Sequence, residues 1–132
     1  MTGAPRLEER FIHLGLGAKA VAEPPFAGME WYEDYSQRHA ADGAEGRLVS
    51  QHTFTASWTS WEMHPAGEEV VICTQGAMVL VQELAGGQVV ETPLAAGEYA
   101  INPRGVWHTA DVAGSATAIF ITAGEGTQHR ER

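Results

Sequence analysis

Cationic side chains are scarce in this chain. Lys19 is the single lysine among eight Lys plus Arg residues, against seventeen Asp plus Glu, and the formal charge is −9. Such a surface repels phosphate backbones and anionic lipid, which excludes non-specific nucleic-acid binding and a polybasic membrane anchor. Cysteine is almost absent as well: Cys73 stands alone, so no intrachain disulfide can form. No apolar run approaches the ~20 residues of a membrane-spanning helix. Met1–Arg10 carries charges and lacks the apolar segment of a secretory signal, so the expectation is a cytoplasmic protein. Helical periodicity is missing too, since no long run repeats its apolar residues at the 3.6-residue spacing of a helix.

What is present points to an all-β fold. The chain has 132 residues, 44% of them apolar, which suits one domain with a real core. Fifteen glycines punctuate short β-like runs. Residues 1–46 read as an N-terminal arm with edge strands, one near Phe11–Leu14 and another over the aromatic-rich residues 29–36. Beyond them, strand-sized segments recur over 47–56, 57–64, 69–74, 77–84, 88–91, 98–101, 106–112 and 116–123. Gly86-Gly87 marks a hairpin turn. This spacing is that of a sandwich or barrel spanning 47–123, followed by a polar, frayed tail over 124–132.

Two clusters of residues carry chemistry. In the first, Glu62 and His64 are two apart, so on a strand they share a face. Pro65 and Gly67 then turn the chain, and Glu69 opens the next strand, where it can return beside His64. In the second, Pro103-Arg104-Gly105 forms a tight turn and His108 follows on a strand. Strand alternation turns Trp61, Met63 and Trp107 away from these residues. Tyr99, which shares a face with Ile101, is a candidate for the cavity wall, and Arg104 reads as a solvated rim residue. Cys73 reads as a small buried hydrophobe.

Together the two clusters resemble the paired motifs of the cupin superfamily. The first motif appears as Glu62-x-His64, four residues, Glu69, six residues, Gly76; the second as Gly97, five residues, Pro103-x-Gly105, two residues, His108. Three positions depart from the family pattern: Glu62 replaces the first histidine, Ala56 the opening glycine and Val112 the closing asparagine. The resemblance implies a double-stranded β-helix, or jelly-roll barrel, with a divalent metal held by Glu62, His64, Glu69 and His108. The interval to Gly76 assigns the ligand to Glu69 and turns Glu68 outward. Glu62 either joins the ligands or accepts a hydrogen bond from a ligand histidine. A set without thiolates suits Mn or Fe, with Ni, Co or Zn also able to enter. The resemblance further implies a homodimer, for which Trp31, Tyr32 and Tyr35 offer apolar surface. It implies a small-molecule substrate or ligand as well. Oxygenase chemistry is favoured over isomerase or lyase chemistry, with a non-catalytic binding or sensor module as the alternative.

Overall fold

The computed structural model describes residues 3–132; Met1 and Thr2, which open the arm expected over 1–46, lie outside the described residues. Ten antiparallel strands dominate: β1 (Ile12–Gly15), β2 (Lys19–Ala22), β3 (Arg47–Phe54), β4 (Ser60–Met63), β5 (Glu69–Glu83), β6 (Val89–Ala95), β7 (Tyr99–Asn102), β8 (Trp107–Asp111), β9 (Ala116–Thr122) and β10 (Gln128–Glu131). The path of pairing runs β10-β4-β8-β5-β9-β3-β1-β2, with β6 and β7 also on β5. The expected jelly-roll barrel is what forms.

β5 is the seam of the barrel. The sequence suggests two strands here, but they are one, with an irregularity in register between Cys73 and Gln75. Its first half pairs with β7 and β9 and its second half with β6 and β8. Gly76 follows the irregularity with φ +69°, and a Cβ there would overlap the Ser115 carbonyl, so the position requires glycine. Alternation along β5 sends Val71, Cys73, Met78 and Leu80 inward to a core shared with Leu94, Ala110, Val112, Ala118 and Phe120. Burying side chains of the size of Leu80 contributes about 2–3 kcal/mol each. Cys73 is fully buried in this core, and burial pushes its thiol pKa up.

Three expectations are corrected. Residues 29–36 are not an edge strand: Met29–Arg38 is a helix, α1. Met29, Tyr32 and Tyr35 recur every third position, and Glu30 and Arg38 complement the helix dipole at the first and last turns. The residues proposed for a dimer face are turned inward. Trp31 is 5% exposed against Phe11 and Leu48, and Tyr32 and Tyr35 pack on that cluster. The tail also differs from expectation, because Gln128–Glu131 pairs with β4. Arg130 fixes it by lying over both Trp61 and Trp107, with its centre 5.0 and 4.7 Å from the rings, and by pairing with Glu83. No helix among the described residues is long and apolar enough to cross a membrane.

Candidate metal centre

The four residues singled out from the sequence converge. Glu62 on β4 stands in register with His108 on β8. His64 lies one residue beyond β4, and its carbonyl accepts a hydrogen bond from the Gly105 N–H at 3.0 Å, so the turn of the second cluster is pinned to the first. Glu69 opens β5 facing inward, 3% exposed, whereas Glu68 points to solvent. The Glu69 carboxylate reaches His64 Nε2 and His108 Nε2, each at 3.2 Å. Glu62 Oε1 is 3.7 Å from His108 Nε2. Glu62, His64 and His108 each offer a ligand atom within 4.8 Å of the other two.

The hydrogen bonds around the group fix its proton positions. The Thr127 hydroxyl donates to the Gly124 carbonyl at 2.8 Å, so toward His64 Nδ1, also at 2.8 Å, it acts as acceptor. With Nδ1 donating to Thr127, the neutral His64 ring presents its Nε2 lone pair to the Glu69 carboxylate, the state in which it can bind a cation. Neither that nitrogen nor either nitrogen of His108 has a partner in hydrogen-bond geometry, although all three are buried. Two sets of lone pairs facing each other at 3.2 Å in a buried site are unfavourable without a positive charge between them. A divalent cation supplies that charge, and two carboxylates with two neutral imidazoles balance it, so the residues fit a metal.

Without an ion, protons take that role. Burial works against ionisation of Glu69 and Glu62, but the histidine contacts outweigh it and hold both carboxyls below the usual range. Burial likewise opposes charge on His108, and the two glutamates reverse this and raise it to about 9. Glu69 is also anchored by Asn102, which donates to Oε1 at 3.0 Å, and by the Thr122 hydroxyl, which donates to Oε2 at 2.6 Å. Gln82 Nε2 in turn donates to Asn102 Oδ1 at 2.8 Å, which orients that amide.

The group opens onto a cavity of about 820 Å³. α1 covers it, with Tyr32, Tyr35, Phe54, Trp58 and Phe120 among its walls. Burial and the charge of Glu62 raise the Tyr32 hydroxyl to about 12, so it stays protonated there. Burial pushes His52 down despite Glu62. Tyr99, a candidate for the wall, is instead 66% exposed on the outside of the barrel. His129, which no sequence motif marks, also meets the group, with its Nε2 3.0 Å from Glu62 Oε2. Its only signal is the register β10 takes on β4, which the residues of the tail do not announce. Asn102 likewise adjoins the Pro103 turn but occupies no motif position.

Solved structures with this fold are alike in backbone more than in sequence. An oxalate oxidase in complex with the substrate analogue glycolate matches with TM-score 0.55 and 18% identity, over 62% of this chain and 45% of that one. A second oxalate oxidase structure matches with TM-score 0.54 and 18% identity over 61% and 44%. Peruvianin-I, a cysteine peptidase from Thevetia peruviana latex, matches with TM-score 0.52 and 21% identity over 62% and 54%. The chain thus spans about half the length of these neighbours. No protein-family model and no curated protein sequence matches it. The barrel pairing, the placement of both motifs and these likenesses give the chain the cupin fold.

Proposed function

We propose that this protein binds one divalent cation through His64, Glu69, His108 and Glu62, and acts on a small uncharged organic molecule held in the adjoining cavity. The observation that carries the reading is the buried Nε2 of His64, without a hydrogen-bond partner and 3.2 Å from the buried Glu69 carboxylate. Mn and Fe suit this oxygen- and nitrogen-rich set, and Ni, Co and Zn can also enter. When bound, the cation supplies Lewis-acid or dioxygen chemistry, with oxygenase reactions favoured over isomerase and lyase reactions. Glu62, 29% exposed at the cavity edge, is placed to hold or move a proton at its Oε2, where His129 meets it. Among the described residues lining the cavity none is Lys or Arg, while Glu33, Glu62, Glu69 and Glu125 are present, which disfavours anionic substrates.

The test has two parts. Elemental analysis of protein loaded with Mn²⁺ or Fe²⁺ should find one ion per chain, and His64→Ala and His108→Ala should each lose most of it. Full metal content in both variants refutes the ligand set. The loaded protein is then offered catechols and sugars as uncharged candidates, with keto acids as anionic comparators, with and without oxygen. Consumption that His108→Ala abolishes supports the enzyme. Tight binding with the ligand recovered unchanged makes it a binding module instead.

The outer face of the barrel supports a homodimer. Ile12, Val49, Ile121, Val70 and Ile101 form one cross-strand row over β1, β3, β9, β5 and β7. Ile119, Ile72 and Tyr99 lie in the next row. On β5 and β9 the inner residues Val71, Cys73, Ala118 and Phe120 belong to the core, so there both faces are apolar, a pattern of sheets covered on both sides. Five strands at about 4.8 Å spacing give a patch of about 300 Å², the apolar centre of a standard interface of about 800 Å² per partner. These rows carry no carboxylate, so a second copy of this acidic chain meets least repulsion there. Ile119→Glu should give a monomer by sedimentation with metal content retained; a mass equal to the unsubstituted protein's refutes the pairing.

A further inference from the structure

The N-terminal cap holds a second cluster of titratable side chains that the metal reading leaves unused. His13 on β1, Tyr35 on α1 and Asp42 in the short helical turn after it meet in one line. His13 Nδ1 is 2.6 Å from the Tyr35 hydroxyl, and His13 Nε2 is 2.6 Å from Asp42 Oδ2. His13 is 1% and Asp42 5% exposed, and His13 and Tyr35 border the same cavity as the metal candidate.

Proton positions follow from Asp42. The bond from His13, with further help from Lys19 at 3.1 Å and the Leu16 N–H at 3.2 Å, overcomes burial and holds this carboxyl at about 2. An ionised carboxylate only accepts, so His13 Nε2 donates to it. Nδ1 is then bare and accepts the Tyr35 proton, which leaves the Tyr35 oxygen with a lone pair to offer. Burial foremost, and then the charges of Glu23 and Asp42, keep Tyr35 itself protonated at rest.

Space has been made for this line. A Cβ at Gly15 would overlap the Asp42 carboxylate, and one at Gly46 would lie 3.1 Å from His13 Cε1. Holding α1 in place does not call for such an arrangement, since buried charged pairs add little net stability over apolar packing. A cation is the other reading, because His13, His39 and Asp42 also offer atoms within 4.8 Å of one another. Yet both His13 nitrogens are engaged, His39 Nε2 lies 3.0 Å from Glu23, and the Lys19 ammonium already sits on the carboxylate. The geometry carries protons instead.

We infer that Tyr35, with His13 and Asp42 behind it as positioning residues, is a general base on the cavity wall that deprotonates an uncharged, weakly acidic ligand such as a phenol, an enol or a carbon acid. The ligand proton passes to the Tyr35 oxygen while the proton of Tyr35 passes to His13 Nδ1. The electron pair of the broken bond stays on the ligand, which becomes an anion, and Asp42 balances the imidazolium. Nothing is oxidised or reduced.

The test uses the full-length, metal-free protein and a nitro-substituted benzisoxazole, an uncharged aromatic carbon acid. Removal of its proton turns the C–H electron pair into the third bond of a nitrile, and the N–O bond breaks with its pair left on a coloured phenolate. No metal takes part, so failure here leaves the metal reading standing, and the reverse holds. The unsubstituted protein should exceed the buffer rate. Tyr35→Phe should lower kcat by about tenfold or more with KM changed by less than about twofold, because the ring and cavity remain. Asp42→Asn keeps Tyr35 and the side-chain size but offers His13 an amide N–H, reverses its tautomer and should lower kcat to a similar extent. Circular dichroism checks that both variants fold. No elimination above buffer, an unchanged kcat in both variants, or a rate that disappears only in Glu62→Gln overturns the inference.

Discussion

Raising the pH of the metal-free protein from 6.5 to 9 should weaken its fold through one histidine. His108 titrates at 6.5 when unfolded and at about 9 in the folded chain, where burial opposes its charge but Glu62 and Glu69 favour it more. A histidine whose folded pKa is raised gives stability that is complete below its unfolded pKa and is lost as pH climbs through the folded one. At 1.36 kcal/mol per pH unit, the span from 6.5 to about 9 is worth about 3 kcal/mol. For a chain of this length that corresponds to a fall in Tm of about 10 °C. His52, which burial pushes down, acts with the opposite sign and below this window. The assay is thermal unfolding of chelator-treated protein followed by circular dichroism in steps across the range, with His108→Gln alongside. Metal affinity should move the other way and strengthen with pH, because His108 must shed its proton to become a ligand. Metal-free stability that stays level or rises, or an equal fall in His108→Gln, refutes the assignment of charge to His108.

Glu69→Ala should abolish metal retention while Glu68→Ala keeps it, read by elemental analysis; the reverse would place the turn after His64 one residue out of register. Leu80→Ala, in the fully buried core, should cost about 3 kcal/mol in urea unfolding, and a cost under about 1 kcal/mol would contradict the close packing described for β5. Gly15→Ala should displace Asp42 and weaken the cap, lowering Tm by several degrees; an unchanged Tm would show that the carboxylate has room to move.

The barrel was legible in the recurrence of strand-sized runs, and the shared face of Glu62 and His64 in their two-residue spacing; the convergence of Glu69 and His108 on them came from the resemblance to the paired motifs. The choice of Glu69 over Glu68 comes from the motif interval to Gly76 that the family resemblance supplies; alternation alone says only that the two face opposite sides. The helix over Met29–Arg38 was hidden by its composition: Trp31, Tyr32 and Tyr35 are strand-favouring residues, and the segment is too short for its period to outweigh them. Packing on Phe11 and Leu48 decided its form. β10 was unreadable for a related reason, since Gln128–Glu131 has no strand signal and is held by Arg130 over two tryptophans from other strands. His129 reaches the site only through that register, Asn102 through the register of β7 on β5, and the line of Tyr35, His13 and Asp42 joins residues up to 29 positions apart with no motif to link them.

The most direct measurement is anomalous scattering from crystals of the manganese-loaded protein. The account predicts a single peak enclosed by His64 Nε2, His108 Nε2 and the carboxylates of Glu69 and Glu62. Clear density for all four side chains with no peak among them, or a peak at His13, His39 and Asp42 instead, would contradict it.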